Sequence, residues 1–403
     1  MAMTRAVRQY AIVTGSYWAF TLTDGALRML VVLYFHNLGY SPLEVAMLFL
    51  FYEFFGVVTN LVGGWLAARL GLNVTQNIGL ALQISALGML LVEASFLSVA
   101  YVMAAQALSG IAKDLNKMSA KSSIKLLVPE GKESKLYQWV AALTGSKNAL
   151  KGVGFFLGGL LLTGLGFRGA ILCLVILLII VLLITLMTLD QGLGKTRYKP
   201  KFTELLSKSA SVNWLSAARF FLFGSRDVWF VVALPVYLQS ELGWGHIAVG
   251  TLLALWVIGY GVVQSQAPKM TGTARGVIPD GRTTERLALA LSLIPGGIAG
   301  LLFIGIQPDV TLIVGLLIFG AVFAVNSSVH SFLIVLYARS EGVSLDIGFY
   351  YMANALGRLV GTVLSGIVYQ VAGLQACLLV SMVFVLAAYF ISIKLPDKSR
   401  VSV

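Results

Sequence analysis

A lysine and an arginine recur in matching surroundings, in NALKGVGFFLGG over residues 148–159 and NALGRLVGTVLSG over residues 354–366. Lys151 and Arg358 sit there among apolar and small residues. Cations so placed suit the gripping of an anion: an arginine fork holds phosphate or arsenate through two hydrogen bonds, and a lysine acts as a point charge. Lys147 lies one helical turn before Lys151 on the same face, and Asn148 and Asn354 can add hydrogen bonds.

Further charges fall deep inside apolar stretches: Asp24 and Arg28, Glu53, and Arg226 with Asp227. With Lys147, Lys151 and Arg358 they make five cations against three acids. On insertion scales each buried charge costs about 2.5–3.5 kcal/mol, so the cationic surplus needs an anion to offset it. A multiply charged phosphate or arsenate ester fits.

Blander readings compete with this one. Asp24 and Arg28 are four residues apart with the acid first, the spacing of a local ion pair. Lys151 and Arg358 could instead bridge to Glu53 or Asp227. Asp24, Glu53 and Asp227 are candidate proton carriers. His330, four residues after Asn326, is either a neutral hydrogen-bonded histidine or a coupling group, since its unperturbed pKa is near neutrality. Lys113, Lys117, Lys121 and Lys125 form a stripe read as a cytoplasmic collar in preference to a substrate funnel. Arg219 is expected to snorkel to lipid headgroups.

The elements that must carry these residues are membrane helices. Of 403 residues, 58% are hydrophobic and 11% charged, with a mean hydropathy of +0.88. Soluble domains carry about 25% charged residues, so this chain cannot cover a water-facing surface. Twelve apolar runs are long enough to cross about 30 Å of hydrocarbon: residues 10–35, 43–68, 75–96, 97–117, 137–163, 169–189, 213–239, 246–268, 287–306, 310–337, 346–370 and 374–394. The first is too long for a signal segment and contains Asp24 and Arg28, so it is expected to persist. Lysines and arginines gather at alternate ends of successive runs, which places both termini and the basic loops in the cytoplasm. The net charge of +12 is therefore a topology signal, and nucleic acid is not an expected partner.

The two halves repeat. LGYSPLEVA at 38–46 matches LGWGHIAVG at 242–250, FGVV at 55–58 matches YGVV at 260–263, and the two NAL segments follow at offsets of 204–207 residues. With six helices between equivalents, the repeat is parallel, about an axis along the membrane normal. We expect residues 1–190 to form one six-helix bundle, 191–211 a basic cytoplasmic linker, and 212–403 the second bundle. The repeat sets Lys151 and Arg358 on either side of a central cavity.

This organisation resembles the major facilitator superfamily. GWLAARLGLN at 64–73 is similar to its signature loop, with Gly64, Leu66, Ala67, Arg69 and Gly71 in place, although Ala68 stands where the acid is usual. That change puts the ion-pair network tied to the loop in question. GFFLGG at 154–159 resembles the superfamily's antiporter pattern, with Phe155 in place of proline. Arg28 and Arg226 fall on the helices that carry phosphate-binding arginines in its organophosphate antiporters. Residues 17–73 and 216–238 resemble the organoarsenical efflux permeases of bacterial arsenic-resistance operons. That likeness implies export of 1-arseno-3-phosphoglycerate across the bacterial inner membrane, with a glyceraldehyde-3-phosphate dehydrogenase as functional partner making the ester.

No P-loop, HExxH or GxSxG pattern is present, so an enzyme is not expected, nor any cofactor or bound metal. Cys173 and Cys377 stand alone on separate runs. The reading is a secondary active exporter of an organic oxyanion. Its rivals are a multidrug/proton antiporter, whose cavity should be acidic and aromatic, and a non-transporting membrane receptor.

Overall fold

A computed structural model describes residues 5–39, 48, 50–190, 192–195, 201 and 209–397, and these residues form an all-helical protein. The helices are α1 Arg5–Asn37, α2 Leu50–Leu70, α3 Leu72–Met89, α4 Val99–Leu127, α5 Glu133–Thr188 and α6 Ala210–Phe230. They continue as α7 Ala233–Ser240, α8 His246–Met270, α9 Gly281–Phe303, α10 Pro308–Tyr337 and α11 Val343–Ser392.

Twelve crossing segments were expected, whereas seven helices among the described residues are long and apolar enough to span a bilayer. The difference has local causes. At 56 and 50 residues, α5 and α11 are each counted once but bend sharply, at Gly166 (φ 68°) and Gly373 (φ 75°). A straight helix of 56 residues would measure about 84 Å at 1.5 Å per residue, far beyond a bilayer's thickness. The bend needs a positive φ that glycine adopts without a Cβ penalty. By contrast α4 fails the apolar criterion because it carries Lys113, Asp114, Lys117, Lys121 and Lys125. In α3 the polar residues Asn73, Thr75, Gln76, Asn77 and Gln83 are buried.

The signature-like loop is a tight reversal. Gly71 (φ 104°) ends α2, its amide donating to Ala67 O at 2.9 Å, and α3 begins at the next residue. Pro235 interrupts what would otherwise be one helix: lacking an N–H, it cannot donate back into the turn, and α6 gives way to α7 there. The Ala233 amide, in the same break, donates to Ser365 Oγ at 3.1 Å. Helix α9 opens with a reciprocal cap, in which Thr283 N donates to Asp280 Oδ1 at 3.1 Å and Asp280 N donates to Thr283 Oγ1 at 3.2 Å.

The chain divides into two compact units. The first holds the described residues of Met1–Lys132, Ser146–Ser207 and Ala338–Met352; the second holds those of Glu133–Gly145, Lys208–Tyr337 and Ala353–Val403. Each has its own apolar core. Phe20, Leu27, Leu30, Leu80, Leu87 and Ile171 lie in that of the first, and Leu222, Trp229, Leu291, Phe319 and Phe323 in that of the second. Large apolar side chains such as Ile176, Leu183, Leu293 and Val383 point outward from α5, α9 and α11, as lipid contact requires.

Candidate functional site

In the first unit the charges converge on one aromatic ring. Tyr52, fully buried on α2, donates its hydroxyl to both oxygens of Asp24, at 2.8 and 3.0 Å. The Arg28 guanidinium lies over the same ring, 4.0 Å from its centre, and the Lys113 ammonium lies 3.8 Å from it. A ring face is negative, so it attracts both cations while its hydroxyl serves the acid. Thus α1, α2 and α4 each contribute to one cluster.

Along α4 the basic stripe points inward. Lys117 binds the buried Asp114 at 2.5 Å, with Lys113 3.9 Å from that carboxylate. Lys121, 2% exposed, donates to the Tyr351 hydroxyl, and Lys117 and Lys121 both lie over the Tyr351 ring. Lys121 is thus buried and Lys113 and Lys117 half-buried, so these members of the expected cytoplasmic collar turn toward the interior of the unit. Among the described side chains of this cluster, Arg28, Lys113, Lys117 and Lys121 stand against Asp24 and Asp114. Glu53 lies on α2, and its side chain is outside the described residues.

Small residues let α5 approach this cluster. A Cβ on Gly25 would lie 2.7 Å from Lys151 O, and one on Gly154 would lie 2.6 Å from Leu22 O. Lys147, Asn148 and Lys151 are half-buried on α5 in the same unit.

The second unit arranges its charges differently. Asp227 is fully buried and held twice, by Arg226 Nη2 at 2.5 Å and by Arg358 Nε at 3.1 Å. The Arg226 guanidinium also lies 5.0 Å from the Phe223 ring centre and 5.5 Å from that of Phe323. One turn away, Asn354 Oδ1 accepts from Arg219 Nε at 2.9 Å. Arg219 Nη1 donates to Ser327 O and Oγ, each at 3.1 Å. At 3% exposure, Arg219 does not snorkel to headgroups as its position near a helix end suggested. His330 and Asn326 are buried on the same face of α10 in this unit.

Lys151 and Arg358 occupy matching places in their helices. Each stands 15 residues before the glycine at which its helix bends. Each also precedes a glycine that crosses a neighbour, Gly154 at α1 and Gly361 at α6, where a Cβ on Gly361 would lie 2.6 Å from Gly224 O. The two surroundings differ. Beside Gly361 the crossing helix presents Asp227, and beside Gly154 it presents Gly25.

Sequence reasoning missed Tyr52, Asp114 and Tyr351 as organisers of charge. The available signal was spacing: Asp114 stands between Lys113 and Lys117, where an acid three residues from a lysine shares its helix face.

Helices of this length and apolarity, with charges enclosed inside each unit, define a multi-pass membrane protein. The chain belongs to the Major Facilitator Superfamily, whose model matches residues 13–276. It is accordingly a membrane transporter of a solute, and the family's members are transporters, not enzymes. The fold is similar to that of the human organic anion transporter TETRAN, with TM-score 0.74, 17% identity, and 96% of this chain and 99% of that one covered. A form of the E. coli fucose:proton symporter FucP gives TM-score 0.73 and 11% identity, covering 96% and 98%. A bacterial homologue of the iron transporter ferroportin in an outward-facing state gives 0.71 and 15%, also covering 96% and 98%. No curated protein matches the sequence.

Proposed function

We infer that the protein is a secondary active exporter of an organic oxyanion, with 1-arseno-3-phosphoglycerate as cargo, in the manner of the organoarsenical permease ArsJ. The observation that carries the cargo class is the cluster at Tyr52, where Arg28 and Lys113 reach one ring from different helices and the stripe continues through Lys117 and Lys121. Among the described side chains these four cations gather with two acids, an arrangement that favours an anionic cargo. A cationic drug would meet repulsion here and a neutral one would gain nothing from the charges, which argues against the multidrug reading.

Binding is assigned to Arg28, Lys147, Lys151, Asn148, Arg226, Arg358 and Asn354. Asp24, Glu53, Asp227 and His330 are the groups able to take part in coupling. Twelve spans in two six-helix repeats (residues 1–190 and 212–403, with linker 191–211), both termini cytoplasmic, complete the proposal. The membrane is the bacterial inner one, and the dehydrogenase is the source of the ester, giving arsenate resistance.

The test is uptake into everted vesicles supplied with the dehydrogenase, NAD, glyceraldehyde 3-phosphate and arsenate, with simple phosphate esters as controls. Arsenate-dependent accumulation is expected. Vesicles that accumulate neither ester would refute the cargo class, and vesicles that prefer a phosphate ester would reassign the cargo within it.

A further inference from the structure

An anion carrier has an electrostatic difficulty on its empty leg. Cations that grip the cargo stay behind in low-dielectric surroundings once it leaves, and a uniformly cationic site resists closing around nothing. Anion exchangers evade this by returning with a second anion. A net exporter needs another remedy.

The first unit contains one. Asp24 is an acid on the same helix as Arg28, one turn before it, and almost wholly buried. Tyr52 fixes it through both carboxylate oxygens, at 2.8 and 3.0 Å. The ring bearing that hydroxyl is the ring over which Arg28 and Lys113 lie. Among the described side chains, the charged and titratable groups around Asp24 include Arg28 and Tyr17 on α1, Tyr52 on α2, and Lys113 and Asp114 on α4; the backbone of Lys151 on α5 packs against the next residue, Gly25. A carboxylate joined to those cations through one ring, its hydroxyl on the acid and its faces under the cations, carries the same kind of charge as one end of a phosphate or arsenate ester.

Resting on the oxyanion reading above, we propose that Asp24, oriented by Tyr52, is a built-in counter-anion that stands in for the cargo when the transporter returns empty. Arg28 and Lys113 engage the ester when it is present, and the carboxylate, ionised on the empty leg, offsets them when it is gone; proton coupling then falls to Glu53, Asp227 or His330 and not to Asp24. Tyr52 is the positioning residue: its ring sets the cations and its hydroxyl sets the acid. Asp24 and the cargo then compete for the same positive charge, so the acid weakens loading while permitting the empty return.

That competition separates two modes of transport. Net flux includes the empty leg, and exchange between labelled and unlabelled ester does not. Proteoliposomes carrying wild-type protein, Asp24→Asn or Tyr52→Phe are assayed in both modes, with 3-phosphoglycerate and with the arsenate ester generated in place as probes. For Asp24→Asn, net flux should fall at least tenfold while exchange falls less than threefold, and the KM for exchange should drop about threefold. Tyr52→Phe keeps the ring and loses the hydroxyl, so its net-to-exchange ratio should fall in the same direction by about threefold. A purely structural role would lower both modes together. Unchanged net-to-exchange ratios in both variants, or a raised KM in Asp24→Asn, would overturn the counter-anion and leave the cargo class standing. Wild-type protein moving neither probe in either mode would overturn the cargo class itself, and the counter-anion with it.

Discussion

Arg358 Nε lies 3.1 Å from Asp227 Oδ2, a carboxylate that is fully buried and also bound at its other oxygen by Arg226. One acid thus holds two arginines, and the three are unequally exposed: Arg358 is 36% accessible and Arg226 14%. Deleting the acid takes a buried partner from both arginines at once, whereas deleting Arg358 leaves Asp227 paired with Arg226. Removing one partner of a buried pair costs roughly 3–5 kcal/mol. We therefore expect Asp227→Ala to destabilise the protein by about 3 kcal/mol and Arg358→Ala by clearly less, with the double variant recovering part of the loss of Asp227→Ala. Thermal unfolding in detergent gives the order, and a larger loss for Arg358→Ala would show that Arg226 does not secure the acid.

How much of this was legible in the sequence depends on the kind of residue. Buried charges announced themselves because each is costly in hydrocarbon, so Asp24, Arg28, Lys151, Asp227 and Arg358 stand out from their apolar surroundings. Their partners did not. Tyr52 sits in FLFYEFF, where an aromatic run reads as packing, and nothing local reveals that its hydroxyl meets Asp24 28 residues away. Arg219 lay near a helix end, where snorkelling is the cheap solution, and its acceptors Ser327 and Asn354 are over 100 residues distant. The helical class followed from composition, but the bends at Gly166 and Gly373 did not, since glycines are frequent throughout this chain.

Export should distinguish the matched cations of the two repeats from their effects on stability. Lys151 contributes its backbone to the α1 crossing, and an alanine preserves that backbone. Lys151→Ala is expected to reach the membrane at normal levels and to lose at least nine-tenths of export, the signature of a lost binding charge. Arg358→Ala should lose export and some stability together, because it also releases Asp227. Immunoblots of membrane fractions alongside vesicle uptake provide the comparison. Normal export by both variants would remove these residues from the binding site.

The helix crossings make a separate prediction about size. A Cβ on Gly154 would fall 2.6 Å from Leu22 O, and one on Gly361 would fall 2.6 Å from Gly224 O, both backbone atoms that cannot rotate away. Close backbone approach through small residues is a principal source of association between membrane helices. Gly154→Leu and Gly361→Leu should each cut the yield of folded protein severely. Gly164→Leu on α5, where a Cβ would meet no atom within 4 Å, is the matched control and should be tolerated. Monodisperse protein recovered by size-exclusion chromatography is the measure, and equal recovery across all three would mean the crossings are looser than their geometry implies.

The inward turn of the α4 stripe can be checked without transport. Lys121 is 2% exposed and donates to the Tyr351 hydroxyl, while Lys132, just beyond the same helix, is exposed. A membrane-impermeant amine reagent requires both solvent access and a free lone pair, so in everted vesicles it should modify Lys132 quickly and Lys121 at least tenfold more slowly. Tyr351→Ala opens the space beside the Lys121 ammonium and removes its acceptor, and should accelerate labelling at Lys121 without changing Lys132. Peptide mass spectrometry resolves the two sites. Equal rates for the two lysines in the unaltered protein would restore the stripe to the cytoplasmic surface and remove Lys117 and Lys121 from the anion cluster.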